Sequence, residues 1–242
     1  MEWPESLPAA TKLFPSLYSS NVHEGFCPTL PQSGAIFAFL QPNDVNGLKS
    51  QLLSVIESFS SSPQNPVDSG ATIDEKGGKV IVEATARIEV GAHLIGPCYI
   101  GPKAEIRHGA YVRAYSWICS EAVVGHSSET KHCVLLPGAK APHFNYVGDS
   151  VLGKGVNLGA GTKISNLRND GGEVQLRVNG QRIGSGLRKF GAILGEGCQL
   201  GCNSVTNPGV ILGCNSIVWP NITVTGVHAA DSARAGGGDA KV

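Results

Sequence analysis

Aliphatic residues recur every six positions through the middle of this chain. Stepping by six from Val82 gives Val82, Ile88, Leu94, Ile100, Ile106, Val112, Ile118 and Val124. Two residues before each aliphatic from Ile88 onward stands a small residue: Ala86, Ala92, Cys98, Ala104, Ala110, Ser116 and Ala122. An α-helix repeats at 3.6 residues and a half-buried strand at two, so neither yields this pattern. A six-residue step with one aliphatic and one small position predicts a short strand and a corner. Stacked in parallel, such units bury one aliphatic each. The register is lost near 130–146. It resumes in one phase at Tyr146, Leu152, Leu158 and Ile164, and again at Leu194, Leu200, Thr206, Leu212, Val218 and Val224. Cys198, Ser204 and Ser216 then hold the small position. The expectation is an all-β, parallel β-helix of hexapeptide repeats over 79–226.

Other segments lack the hexad. Residues 1–78 form an N-terminal segment with a predicted amphipathic helix over Asp44–Phe59, Asp44 being its N-cap. A Ser/Pro/Gly-rich linker, 60–78, follows. A solenoid's terminal coil must be covered, so this segment is expected at the open end. Residues 167–188 interrupt the repeat. Within them, Val174 to Ile183 carries Asn179-Gly180 between alternating residues and predicts a hairpin. Residues 227–242 read as a flexible tail.

Composition narrows the function classes. The chain has 32 Gly in 242 residues and 6% aromatics, which suits tight corners around thin aliphatic layers. Formal net charge is zero, so nothing marks the chain as a binder of nucleic acid or membrane. No stretch has the length and apolarity of a membrane span. The N-terminus lacks the basic and apolar regions of a signal peptide. Seven scattered cysteines without a CxxC pair read as reduced thiols of a cytoplasmic protein.

The repeat also places candidate chemistry. With three hexads per coil, residues three hexads apart are neighbours on adjacent coils, about 4.8 Å apart. Arg113 and Lys131 have this separation and both follow an inward position, so both point outward. Two stacked cations repel; a bound phosphate reverses that sign. The plainer alternative is two solvated surface charges. His108 and His126 are also three hexads apart, at a corner. A zinc site there needs a third ligand, His132 or His143, and no spacing fixes either. The glycines of 153–161 follow the repeat corners and lack the GxxxxGK[ST] phosphate-loop pattern.

Between Gly125 and Asn166 the polar residues become specific. Gly125-His-Ser-Ser-Glu129-Thr-Lys131 precedes His143-Phe-Asn-Tyr146-Val-Gly-Asp149, then Gly155-Val-Asn157-Leu-Gly-Ala160-Gly-Thr162. This resembles the C-terminal acetyltransferase domain of the bifunctional N-acetylglucosamine-1-phosphate uridylyltransferase/glucosamine-1-phosphate acetyltransferase. The resemblance implies a left-handed parallel β-helix, a homotrimer, and acetyl transfer from acetyl-CoA to the amine of an amino-sugar 1-phosphate. It implies His143 as general base with Glu129 beside it. It implies Arg113, Lys131, Tyr146, Asn157 and Lys189 as substrate-binding residues, and Ala160, Asn166 and Cys202 as acetyl-CoA-binding positions. No metal is expected. Leu167 stands where the family has an aromatic and Cys202 where it has a serine. Residues 1–78 are too short for the uridylyltransferase half and lack a nucleotide loop. The alternatives are a non-catalytic trimeric sugar-phosphate-binding module and a zinc enzyme resembling the γ-class carbonic anhydrases.

Overall fold

The computed structural model describes residues 7–19, 23–59 and 68–234. Short parallel strands stack into a solenoid of about 9 turns. Early coils advance by three hexads: Val80 pairs with Cys98, Arg87 with Glu105 and His93 with Tyr111. The expected aliphatics from Ile88 to Val124 are all buried, as are the small residues from Ala86 to Ala122. Each inward aliphatic meets its counterparts one coil above and below, so the core is one continuous column.

The coil has three faces. The first carries Val80–Val82, Cys98–Ile100 and Ser116–Ile118. The second carries Arg87–Ile88, Glu105–Ile106, Val123–His126 and Lys140–His143. The third carries His93–Ile95 and Tyr111–Val112. Two longer strands, Glu129–Leu135 and Tyr146–Leu152, run unbroken from the third face onto the first.

Those long strands belong to coils that fall one residue short of three hexads. Ser116 pairs with Cys133, and Glu129 with Tyr146. Dropping one residue shifts the alternation of sides. Val147, not Tyr146, is therefore the inward residue, fully buried, and Tyr146 stands outward and half-buried. This corrects the phase assigned to Tyr146 from the repeat. The insertion lengthens the next coil, so that Val151 pairs with Ile193 and Asn157 with Gln199. The three-hexad step then returns with the pairing of Ile193 and Ile211.

Residues 68–74 of the N-terminal segment stack on the first coil at the open end, and residues 7–19 and 23–59 cover a flank. On the first face the outward residues Ile81, Tyr99, Trp117, Val134, Val151, Ile193 and Ile211 are all apolar or aromatic and buried. Leu13, Phe14, Phe37, Phe39, Leu40, Leu48 and Leu52 pack over them in a second core. Trp117 Nε1–H donates to the Phe26 carbonyl at 2.9 Å, and Phe37 stacks on Phe190 at 5.3 Å. The helix spans Leu48–Ser58, shorter than expected. Asp44 is not its cap: its Oδ1 accepts the Asn46 N–H at 2.8 Å in a local turn, and Gly47 holds the cap position.

The ladder also reaches past 79–226. Thr72–Asp74 pairs with His93–Ile95, and Val227–His228 and Ala233–Arg234 add strands in the expected tail. Residues 60–67 of the expected linker and 235–242 lie outside the described residues. The insertion forms the predicted hairpin, Gln175–Val178 with Gln181–Gly184, turning through Asn179 and Gly180 at φ 48° and 78°.

Trp117→Ala is expected to lower stability by about 3–5 kcal/mol, read by urea unfolding, because it opens the second core at its centre. Burial pushes the thiols of Cys98, Cys133 and Cys198 up to about 12. Iodoacetamide at pH 8 should therefore modify exposed Cys202 in the native protein and spare these three, as peptide mass spectrometry would show.

Candidate active site

Many corners of the coil turn through a left-handed residue. At some this is Gly or Asn, for which the conformation is cheap; at others it is Lys103, Glu121, Ser127 or Phe144. Where the third face meets the first, the residues are Tyr115, His132 and Asp149, at φ 63°, 46° and 48°. Such a conformation costs an ordinary side chain about 1–2 kcal/mol. These three follow one another at the interval of the shortened coils, which stack them in a column.

The column lines a cleft of about 560 Å³. Its far walls come from outside the repeat. Leu40, Gln41 and Lys49 belong to the N-terminal segment, and Gly186 to Lys189 to the end of the insertion. Arg113, Lys131 and Lys189 all line it. The Arg113 N–H donates to the Thr130 carbonyl at 2.8 Å, which sets Arg113 beside Lys131 on the next coil. Arg113 Nη1 also donates to Glu129 Oε1 at 2.7 Å. Two unit charges about 5 Å apart repel by about 3 kcal/mol at an effective dielectric of about 20. Burial, together with the charges of Lys189 and Arg113, holds the Lys131 ammonium below the ordinary lysine range, and Asp149 offsets part of that.

Asp149 is the hub of the cleft floor. Its Oδ1 accepts from His132 Nδ1 at 2.8 Å and its Oδ2 from Asn166 Nδ2 at 2.5 Å. The same Asn166 amide donates to the Tyr146 hydroxyl at 3.2 Å. Burial opposes the carboxylate charge, yet the bonds from His132 and Asn166 and the charge of Lys131 leave Asp149 below the usual carboxyl range. The ionised carboxylate fixes the proton of the His132 ring on Nδ1. Its Nε2 is buried with no hydrogen-bond partner.

The remaining expected residues lie elsewhere. His143 is exposed at the corner between the second and third faces, in register with His126. Glu129 and Tyr146 lie between it and the cleft. Asn157 is on the second face, paired with Lys140 and Gln199. Ala160 and Cys202 stack on adjacent coils at a corner, where the Asn203 N–H meets the Ala160 carbonyl. His108 and His126 stack at 5.6 Å as their spacing required, each Nδ1 bonded to a backbone carbonyl. Among the described residues no cluster of three or more His, Cys, Asp or Glu suits a metal ion. His132, a candidate third zinc ligand, is held by Asp149 at a different corner. No helix among the described residues is long and apolar enough to cross a membrane. Sequence reasoning missed Lys49, Tyr115, Asp149 and Arg188. Asp149 lies one shortened coil on from His132 and could have been found by that step; no periodicity points to Lys49.

Comparison with known proteins addresses the same region. Residues 94–212 match the family model described as GMPPB C-terminal domain. Over 147 residues the chain is 44% identical to a bifunctional sugar-1-phosphate nucleotidylyltransferase/acetyltransferase of Sulfurisphaera tokodaii, covering 61% of this chain and 37% of that protein. It is 38% identical over 112 residues to the bifunctional protein GlmU of Methanococcus vannielii, covering 46% and 25%. The matched part of the solenoid is similar to the corresponding part of these bifunctional nucleotidylyltransferase/acetyltransferases. The chain spans a quarter to just over a third of these relatives' length. Among solved structures, the acetyltransferase domain of PglB from Neisseria gonorrhoeae in complex with acetyl coenzyme A is 14% identical, with a TM-score of 0.35, covering 93% of this chain and 84% of that one.

Asp149→Asn should cost on the order of 1–3 kcal/mol at pH 7. Because the folded carboxyl titrates below its unfolded value, its stabilisation is present above about pH 3.9 and lost as pH falls through the folded value. The gap between variant and wild type, read by urea unfolding, should narrow below pH 4.

Proposed function

We propose that the domain transfers acetyl from acetyl-CoA to the amine of an amino-sugar 1-phosphate such as glucosamine 1-phosphate, as a cytoplasmic homotrimer. The observation that carries this reading is the meeting of Arg113, Lys131 and Lys189 in one cleft. Three cations gathered without three acids are repulsive alone and favourable around a phosphate. The sugar then extends from the cleft along the third face over Tyr146, bringing its amine toward His143. His143 accepts the proton as nitrogen attacks the thioester carbonyl and the CoA thiolate leaves. Glu129, already bonded to Arg113, carries negative charge beside that path. Ala160 and Cys202 suit a thioester chain, since both are small and stack along one corner. Asn157 is assigned to the sugar and Asn166 to acetyl-CoA by the resemblance alone: Asn157 lies on the second face, and the Asn166 amide is bonded to Asp149 and Tyr146. The solenoid, 79–226, is the catalytic unit, with 1–78 as its flank.

A second reading has its own observation. The Asn166 amide is committed to Asp149 and Tyr146, and His143 lies outside the cleft. A sugar-phosphate-binding module without turnover has those properties. Release of free CoA across a panel of amino-sugar phosphates separates the two. Turnover of glucosamine 1-phosphate, with a loss of about 10²–10⁴ in kcat for His143→Ala, is the expected result. A folded protein that binds these sugars yet releases no CoA establishes the module instead.

A further inference from the structure

Lys49 is an odd residue to find at this cleft. It lies on the helix Leu48–Ser58, outside the 94–212 family match, on a segment whose other inward residues are apolar. Its Nζ sits 4.7 Å over the Tyr115 ring, half-buried, with no acidic partner among the described residues. Around the same cleft stand Arg113, Lys131, Arg188 and Lys189. Only Arg113 among these has an ion pair with an acid, to Glu129, and Asp149 on the floor is bonded to His132.

Packing does not account for this. The helix is anchored by Leu48, Leu52 and Ile56, which are buried whether or not Lys49 carries a charge. A cation–π contact over Tyr115 favours one ammonium. It does not offset gathering that ammonium with four further cations. Arg188 repeats the case from the opposite wall. It is exposed at the end of the insertion, next to Lys189, and forms no ion pair among the described residues. Two segments outside the regular repeat thus deliver unneutralised cations to one cavity.

We propose that Lys49 and Arg188 are ligands of the substrate phosphate, so that the N-terminal segment and the insertion complete the binding site and set its preference for phosphorylated sugars. This rests on the reading of the cleft as the sugar-phosphate site. Arg113, Lys131 and Lys189 hold the anion from the coil side. Lys49 closes over it from the helix, and Arg188 from the insertion. The N-terminal segment is then a specificity element whose apolar side holds it to the first face while Lys49 faces the ligand.

The test is calorimetric titration of the full chain with glucosamine 1-phosphate, for wild type, Lys49→Met, Lys49→Arg and Arg188→Met. Binding should weaken by about ten- to a hundredfold for each methionine variant, the loss of one charge-assisted contact. Lys49→Arg should recover most of it. The preference for glucosamine 1-phosphate over glucosamine should narrow by the same factor in Lys49→Met, with its thermal midpoint within a few degrees of wild type. Unchanged affinity in Lys49→Met overturns the proposal. So does an equal loss for both sugars, which indicates a packing role. Binding that weakens as stated without any CoA release upholds these ligands and removes the acetyl-transfer reading. A wild type that binds no glucosamine 1-phosphate overturns both.

Discussion

Parallel stacking of coils, about 4.8 Å apart, makes every residue the neighbour of those one coil away. In such a structure side-chain chemistry adds up along columns. Aliphatics stacked inward from Ile88 to Val124 give a continuous core. Apolar residues stacked outward from Ile81 to Ile211 give a greasy flank that water cannot be left against. Cations stacked outward at Arg113 and Lys131 give a charge density that no single residue has.

The loss of one residue from each of two successive coils is what breaks this regular stack beside the cleft. The deletion shortens the corner, so Glu129–Leu135 and Tyr146–Leu152 continue across it as single strands. His132 and Asp149 keep a left-handed turn within them, as Tyr115 does at the full-length corner before, and these side chains become the floor of the cleft. Residues held in sparsely populated backbone regions gather at functional sites in general. Here their cost is offset by the His132–Asp149–Asn166 hydrogen bonds, which fix the floor beneath the cations.

The flank and the cleft are two consequences of one packing event. The N-terminal segment must cover the outward apolar column, and Trp117 and Phe190 anchor it there. Where that cover ends, at the first face's edge, Leu40, Gln41 and Lys49 stand opposite the stacked cations. The insertion closes the other side. A domain that would otherwise present an open face thus acquires a walled cavity from segments that contribute nothing to the repeat.

Much of this was legible in the chain because a six-residue period leaves its mark on every coil. The core column, the small positions, the Asn179-Gly180 hairpin and the stacking of Arg113 on Lys131 follow from local spacing alone. Stepping in sixes puts Tyr146 in the wrong phase, because it cannot locate one missing residue within a weak stretch; backbone pairing locates it. The pairing of His132 with Asp149 is hidden for the same reason. Asp44 has the chemistry of a helix cap, and its competing turn with Asn46 carries no periodic signal. The place of residues 7–19 and 23–59 was decided only in three dimensions. Amphipathicity says that a helix has a buried side, and not which of the solenoid's surfaces it will bury that side against. That choice depended on an outward column of Ile81, Tyr99, Trp117 and their neighbours, residues far apart in sequence that only the stacked coil brings into one surface.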